Sequence, residues 1–112
     1  DDTQVSVTGT TETEKKTARF PISTWSNLKN IHVIAGVWSN NASYTTSLLV
    51  YRNSEGSASL TLTSTSLSEE LKEGDFTVND LSSGIHTLKF KLKSNNASGT
   101  AYHKFLMVYA WG

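Results

Sequence analysis

The sequence predicts an all-β fold, an antiparallel sandwich of about eight strands, and three observations carry that expectation. First, Leu88, Phe90 and Leu92 alternate with Lys89, Lys91 and Lys93, the period of a strand with one dry and one wet face. Second, clusters of Asn, Ser and Gly recur roughly every ten residues, and short antiparallel strands need turns at about that spacing. Third, the pentapeptide Ser-Asn-Asn-Ala-Ser occurs twice, starting at Ser39 and at Ser94, inside matched flanks. A jelly roll is the favoured topology and an immunoglobulin-like sandwich the second.

At 112 residues the chain makes one domain with a single core. Residues 1–16 read as a polar N-terminal arm. Within it Val5 and Val7 alternate with Ser6 and Thr8, which predicts a short edge strand, and residues 9–16 read as a loop. Residues 17–112 form the sandwich proper. Its first strand, with Ala18, Phe20 and Ile22 in alternation, contains Pro21, which places it at a sheet edge or marks a strand end. Residues 23–30 connect it onward and carry Trp25 and Leu28.

Residues 30–51 and 84–111 then read as two similar hairpins. Ile31-His32 matches Ile85-His86, the pentapeptides match, and Val50-Tyr51 matches Val108-Tyr109. The second copy is one residue longer before its pentapeptide. One extra residue turns every later side chain to the opposite face unless a bulge absorbs it, so a bulge or a changed facing is expected in one arm. Between the copies, residues 58–63 predict a strand with Leu60 and Leu62 inward. The segment 66–73 is the one short helix candidate: Ser66 and Glu69 have capping-box spacing and Gly74 suits a C-terminal stop.

The last strand breaks the alternation. Phe105, Met107, Tyr109 and Trp111 fall on one face, and Leu106, Val108 and Ala110 on the other. A strand apolar on both faces must be covered on both sides, either as a central core strand or with one face buried against another subunit, and in the second case Phe105, Met107, Tyr109 and Trp111 are the candidate subunit interface.

Site chemistry is sparse. His32 and His86 stand at equivalent repeat positions and read as structural histidines, with His103 the third; no HxH or HExxH spacing occurs, and there is no cysteine. No catalytic residue, metal site or cofactor is expected, although Glu69, Glu70, Glu73, Asp75 and Asp80 supply oxygen ligands of the kind calcium takes. Ten basic residues balance ten acidic ones, which argues against nucleic acid as a partner. No stretch reaches the roughly 18 apolar residues of a membrane span. The chain begins Asp1-Asp2 without Met, as a processed product or an excised domain would.

Two features remain. Asn41 and Asn96 each open an Asn-Ala-Ser triplet at an expected tip and are candidate N-glycosylation acceptors. Trp25, Trp38, Tyr44 and Tyr102 are candidate stacking residues for a sugar ring or a partner, beside the alternative that they fill core or interface.

Residues 81–111 also carry a resemblance. Leu81, Ser82, Gly84, His86, Thr87, Leu88 and Lys89, followed by Ser98, Gly99, Thr100, Ala101 and Tyr102, resemble the closing strands of jelly-roll modules in phage and archaeal-virus virion proteins; similar strings occur in secreted filament and adhesin subunits. The resemblance implies a structural protein of a virion or extracellular appendage surface (tail, fibre, decoration or filament), often trimeric or polymeric, that contacts a host receptor or neighbouring subunits. It implies no catalytic residues. The alternative from the residues is a carbohydrate-binding module or adhesin domain that takes a cell-surface glycan.

Overall fold

A computed structural model describes residues 1–22, 30–78 and 84–111. The described chain forms eight strands: β1 (Val5–Thr8), β2 (Thr13–Ile22), β3 (Asn30–Ser39), β4 (Thr46–Arg52), β5 (Leu60–Ser64), β6 (Glu70–Thr77), β7 (Gly84–Ser94) and β8 (Thr100–Trp111). They make two antiparallel sheets, the first in the order β1-β8-β3-β6 and the second in the order β2-β7-β4-β5. Each of the pairs β1–β8, β2–β7, β3–β6 and β4–β5 is hydrogen-bonded. The chain is thus one long antiparallel ribbon rolled on itself, closed by β3 against β8 and β4 against β7. This is jelly-roll topology.

The edge expectations hold. β1 borders the first sheet and β2, with its Pro21, borders the second. Residues 9–16 are not all loop, because β2 begins at Thr13. The pairing of β1 with β8 is carried on by Asp1, which exchanges main-chain hydrogen bonds with Leu106 (3.0 and 2.7 Å).

Two expectations are corrected. Residues 30–51 and 84–111 are not hairpins: β3 and β8 lie in the first sheet while β4 and β7 lie in the second. Each copy is an arch that crosses from one sheet to the other. Alternation within a strand is the same whether its successor pairs beside it or opposite it, so sequence could not separate the two. The segment 66–73 is not helical either. Ser66 turns the chain locally, its Oγ donating to the Ser68 carbonyl (2.7 Å), and β6 starts at Glu70. Two isolated turns of helix are marginal in water, whereas eight residues of β6 satisfy the ladder of β3 that would otherwise face solvent. Gly74 sits mid-strand, where a Cβ would meet Leu60 Cδ1 at 2.8 Å.

The repeat is nonetheless real, and the two pentapeptides meet. Asn40 accepts from the Thr100 N–H through Oδ1 (2.9 Å) and donates its own N–H to the Thr100 carbonyl (3.2 Å). Asn95 does the same to Thr45, at 2.8 and 2.9 Å. Within each turn, Asn41 Oδ1 accepts from Ser43 N–H and Asn96 Oδ1 from Ser98 N–H, both at 2.8 Å. The arches are therefore related by a local pseudo-two-fold at their tips. The symmetry breaks where Tyr44 faces the equivalent Gly99: a Cβ on Gly99 would lie 3.1 Å from the Tyr44 ring and 2.1 Å from Ser94 Oγ. Gly9, at φ 102°, ties the β1–β2 turn to the same tip through its contacts with Gly99 and Ser94.

The extra residue of the second copy appears as a changed facing. Counting back from Ser39 and Ser94, buried Ile31 is matched by buried His86, while His32 faces outward. The later arm has a bulge: Lys104 and Phe105 of β8 together oppose Gly36.

The core fills the space between the sheets with Val33, Ala35 and Val37 of β3, Leu48 and Val50 of β4, and Leu88, Phe90 and Leu92 of β7, all fully buried. Phe90 is the largest of these side chains. Truncating it, Phe90→Ala, is expected to cost about 3–5 kcal/mol in urea unfolding. Asn40→Ala and Asn95→Ala are each expected to cost about 1 kcal/mol. A loss from only one of them would contradict the equivalence of the two tips.

Candidate functional site

The outer face of the first sheet is where the chain departs from ordinary alternation. In β6, Leu71, Glu73, Asp75 and Thr77 face out and Lys72 and Phe76 face in. Register then sets the outward residues side by side: Leu71 beside Gly36, Glu73 beside Ile34 beside Met107, Asp75 beside His32 beside Tyr109, and Asn30 beside Trp111. Leu71 is 63% exposed, Met107 49%, Tyr109 48% and Trp111 38%. Four of the five large exposed apolar residues among the described ones thus share this face; Leu67 is the fifth.

Its far end is an aromatic and acidic cluster. The His32 ring lies 5.0 Å from Tyr109 and 6.3 Å from Trp111, and those two rings are 5.8 Å apart. Two carboxylates edge the imidazole: Glu73 Oε2 stands 3.3 Å from Nε2, and Asp75 Oδ2 stands 3.9 Å from Nδ1. Nearer the β8 bulge, Asp2, Glu69, Leu71, Lys104 and Phe105 line a shallow cleft of about 440 Å³. Gly36 leaves room for the Glu69 carboxylate, since a Cβ there would stand 2.0 Å from Oε2.

The expected interface residues Phe105, Met107, Tyr109 and Trp111 do share this face, with Phe105 partly buried at the bulge. The stacking candidates scatter. Trp38 and Tyr102 are cross-strand partners stacked at 5.2 Å and 10°, so each ring spends one face on the other. Tyr44 lies at the arch tip against Gly99, and Trp25 and Asp80 lie outside the described residues. Asn41 is exposed and Asn96 partly buried. Reading from residues alone missed His32, Leu71, Glu73 and Asp75 as neighbours of Tyr109 and Trp111. The signal was present as the period of two in residues 71–77, hidden by the capping-box spacing just before it.

Among the described residues, the acidic side chains expected as calcium ligands divide between the two sides of β6. Glu70 turns to the other side of β6, where it accepts from Ser64 Oγ (2.7 Å). That bond is the chief reason its carboxyl is held below the usual range. Among the described residues no three His, Cys, Asp or Glu side chains come together as metal ligands would.

The remaining histidines face inward. His86 Nδ1 accepts from Arg52 (3.3 Å), and Arg52 in turn pairs with Glu55 (2.7 Å). His103 is wholly buried; its Nδ1–H donates to the Gly36 carbonyl (2.9 Å) and its Nε2 has no partner among the described residues. The β8 bulge also leaves the Lys104 carbonyl turned inward, where it accepts from the buried Lys16 ammonium. Burial pushes Lys16 below the ordinary lysine range. Burial likewise lowers His103 to about 4, and the nearby Lys16 charge acts in the same direction.

No protein-family model and no curated protein sequence matches this chain.

The His103 environment gives a pH dependence. Between about pH 6.5 and 4 the unfolded chain binds this proton and the folded one does not. Stability is therefore full above about 6.5 and falls as the pH drops towards 4, by about 3 kcal/mol. Urea unfolding across this range should show that loss. His103→Leu should flatten the profile in that window.

Proposed function

We propose that the chain is a non-enzymatic structural subunit of a virion or extracellular appendage surface, assembling through the outer face of its first sheet. One observation carries this reading: Leu71, Met107, Tyr109 and Trp111 are all exposed on one outer face, of a sheet whose other face already holds the core. An apolar surface of this kind on a small domain marks an interaction site. The sandwich brings rigidity, with its main-chain groups spent on sheet ladders. The jelly-roll topology agrees with the resemblance of residues 81–111 to virion modules. Partners under this reading are further copies of the chain or neighbouring subunits of the same surface.

A second reading, a carbohydrate-binding or adhesin domain, draws on a specific arrangement. Tyr109 and Trp111 are exposed rings beside the carboxylates Glu73 and Asp75, and such a pairing offers a sugar both a flat apolar surface and hydroxyl partners.

Light scattering over a dilution series separates the two. The assembly reading expects a mass above the monomer that persists on dilution. Met107→Lys with Tyr109→Lys should return it to the monomer while leaving thermal stability within a few degrees, because both side chains point to solvent in the isolated chain. A monomer at every concentration, with tryptophan fluorescence that shifts on glycan titration and loses the shift in Trp111→Phe, would replace assembly with sugar binding.

A further inference from the structure

The two outer faces of the sandwich carry opposite charge. On the first sheet, Glu69, Glu73 and Asp75 line the β6 side of the apolar surface. On the second sheet, Lys89, Lys91 and Lys93 of β7 face outward between buried Leu88, Phe90 and Leu92, and register places Leu49 and Tyr51 of β4 beside them. Exposed Lys15 and Arg19 of β2 extend the basic surface. Two carboxylates also lie near it, Glu12 accepting from the Tyr51 hydroxyl (2.5 Å) and Glu14, beside Lys91 in register, accepting from the Thr17 hydroxyl (2.8 Å); set against Lys15, Arg19, Lys89, Lys91 and Lys93 they leave the face basic on balance.

From this we infer that the occupant of the aromatic–acidic face is the lysine face of a second copy of this chain, with ammonium groups set over Tyr109 and Trp111 and against Glu73 and Asp75. The inference rests on the assembly reading above and names its partner. Three arguments carry it. The two faces are opposite in balance of charge, Lys104 beside Asp2 being the cation on the first and Glu12 and Glu14 the anions on the second. The spacing matches, because lysines two apart on β7 and carboxylates two apart on β6 both repeat at roughly 7 Å along a strand. The chemistry already occurs within the chain, where Lys91 Nζ sits 4.4 Å over the Tyr51 ring.

The area is sufficient. The molecule measures 45 × 23 × 20 Å, so one broad face offers up to about 1,000 Å², against the roughly 800 Å² per partner of a standard interface. Because the two surfaces in contact differ, the contact is heterologous. It does not close at two copies, and each added subunit presents a fresh face to the next. The result is a stack that grows in one direction, sheet on sheet.

Charge reversal on each face tests this in the intact chain. Wild-type mass should rise with concentration beyond the dimer and fall as salt is added. Lys89→Glu/Lys91→Glu/Lys93→Glu and, separately, Glu73→Lys/Asp75→Lys should each weaken association more than about tenfold. An equimolar mixture of the two should form at least a 1:1 dimer through the two unaltered faces, and should extend beyond it because the two reversed faces are again opposite in charge. Lys91→Glu and Asp75→Lys provide the same pair of readings with one charge changed in each, should a multiple variant fail to give native circular dichroism. A dimer that survives the lysine reversals unchanged would overturn the inference in favour of the apolar face closing on itself, with assembly intact. A mixture that stays monomeric would also overturn it. Wild type that is monomeric throughout would overturn the assembly reading as well.

Discussion

The crossing of the two arches governs the rest of this structure. β3–β4 and β7–β8 each pass from one sheet to the other, and their tips are tied by the reciprocal bonds of Asn40 to Thr100 and Asn95 to Thr45. With the tips fixed, β3 must lie beside β8 and β4 beside β7, which fixes the centre of both sheets. The remaining strands add at the edges. The same crossing brings Val33, Val37, Leu48, Val50 and Phe90 into one buried cluster, so the core and the topology have one cause. Hydrogen bonds at an exposed tip contribute little net energy; they select a register, and apolar burial supplies the stability.

The bulge in β8 links that frame to the candidate site. Between the tip and the bulge, Ala101 and His103 face inward on odd numbers. Beyond it, Leu106 and Val108 face inward on even numbers, and Phe105, Met107, Tyr109 and Trp111 are delivered to the outer face. The bulge is accompanied by a polar interior: Lys16 reaches the Lys104 carbonyl and His103 the Gly36 carbonyl. A matching irregularity in β2, between Glu14 and Lys16, brings Lys16 rather than Lys15 inward. Buried polar groups of this kind cost stability unless bonded, and among the described residues all such side-chain atoms but His103 Nε2 find a partner. The aromatic outer face and this polar pocket are thus two sides of one local distortion.

Much of this was legible in the residues. The strand count, the edge positions of β1 and β2, the two-faced apolar character of β8, and the repeat with its changed facing all follow from periodicity and the matched pentapeptides. The hairpin reading of residues 30–51 and 84–111 failed, because alternation reports which residues share a face and not which strand lies alongside. The helix reading of 66–73 failed because a local capping signal was outweighed by the unpaired edge of β3, a demand made from the other side of the chain. The candidate site was half legible. Met107, Tyr109 and Trp111 announced themselves by breaking a pattern, whereas Glu73 and Asp75 join them only through the pairing of β6 with β3.

What the sequence determined by itself is therefore local: which side chains of each strand are dry, where turns fall, and that two segments share a plan. Short-range sterics and side-chain chemistry are sufficient for those. Tertiary structure alone decided the partners, namely that β8 lies between β1 and β3, that an acidic strand borders the aromatic one, and that the lysine row occupies the opposite outer surface. Those placements depend on closing contacts between residues far apart in the chain, and no local pattern encodes the choice among alternatives that bury the same faces.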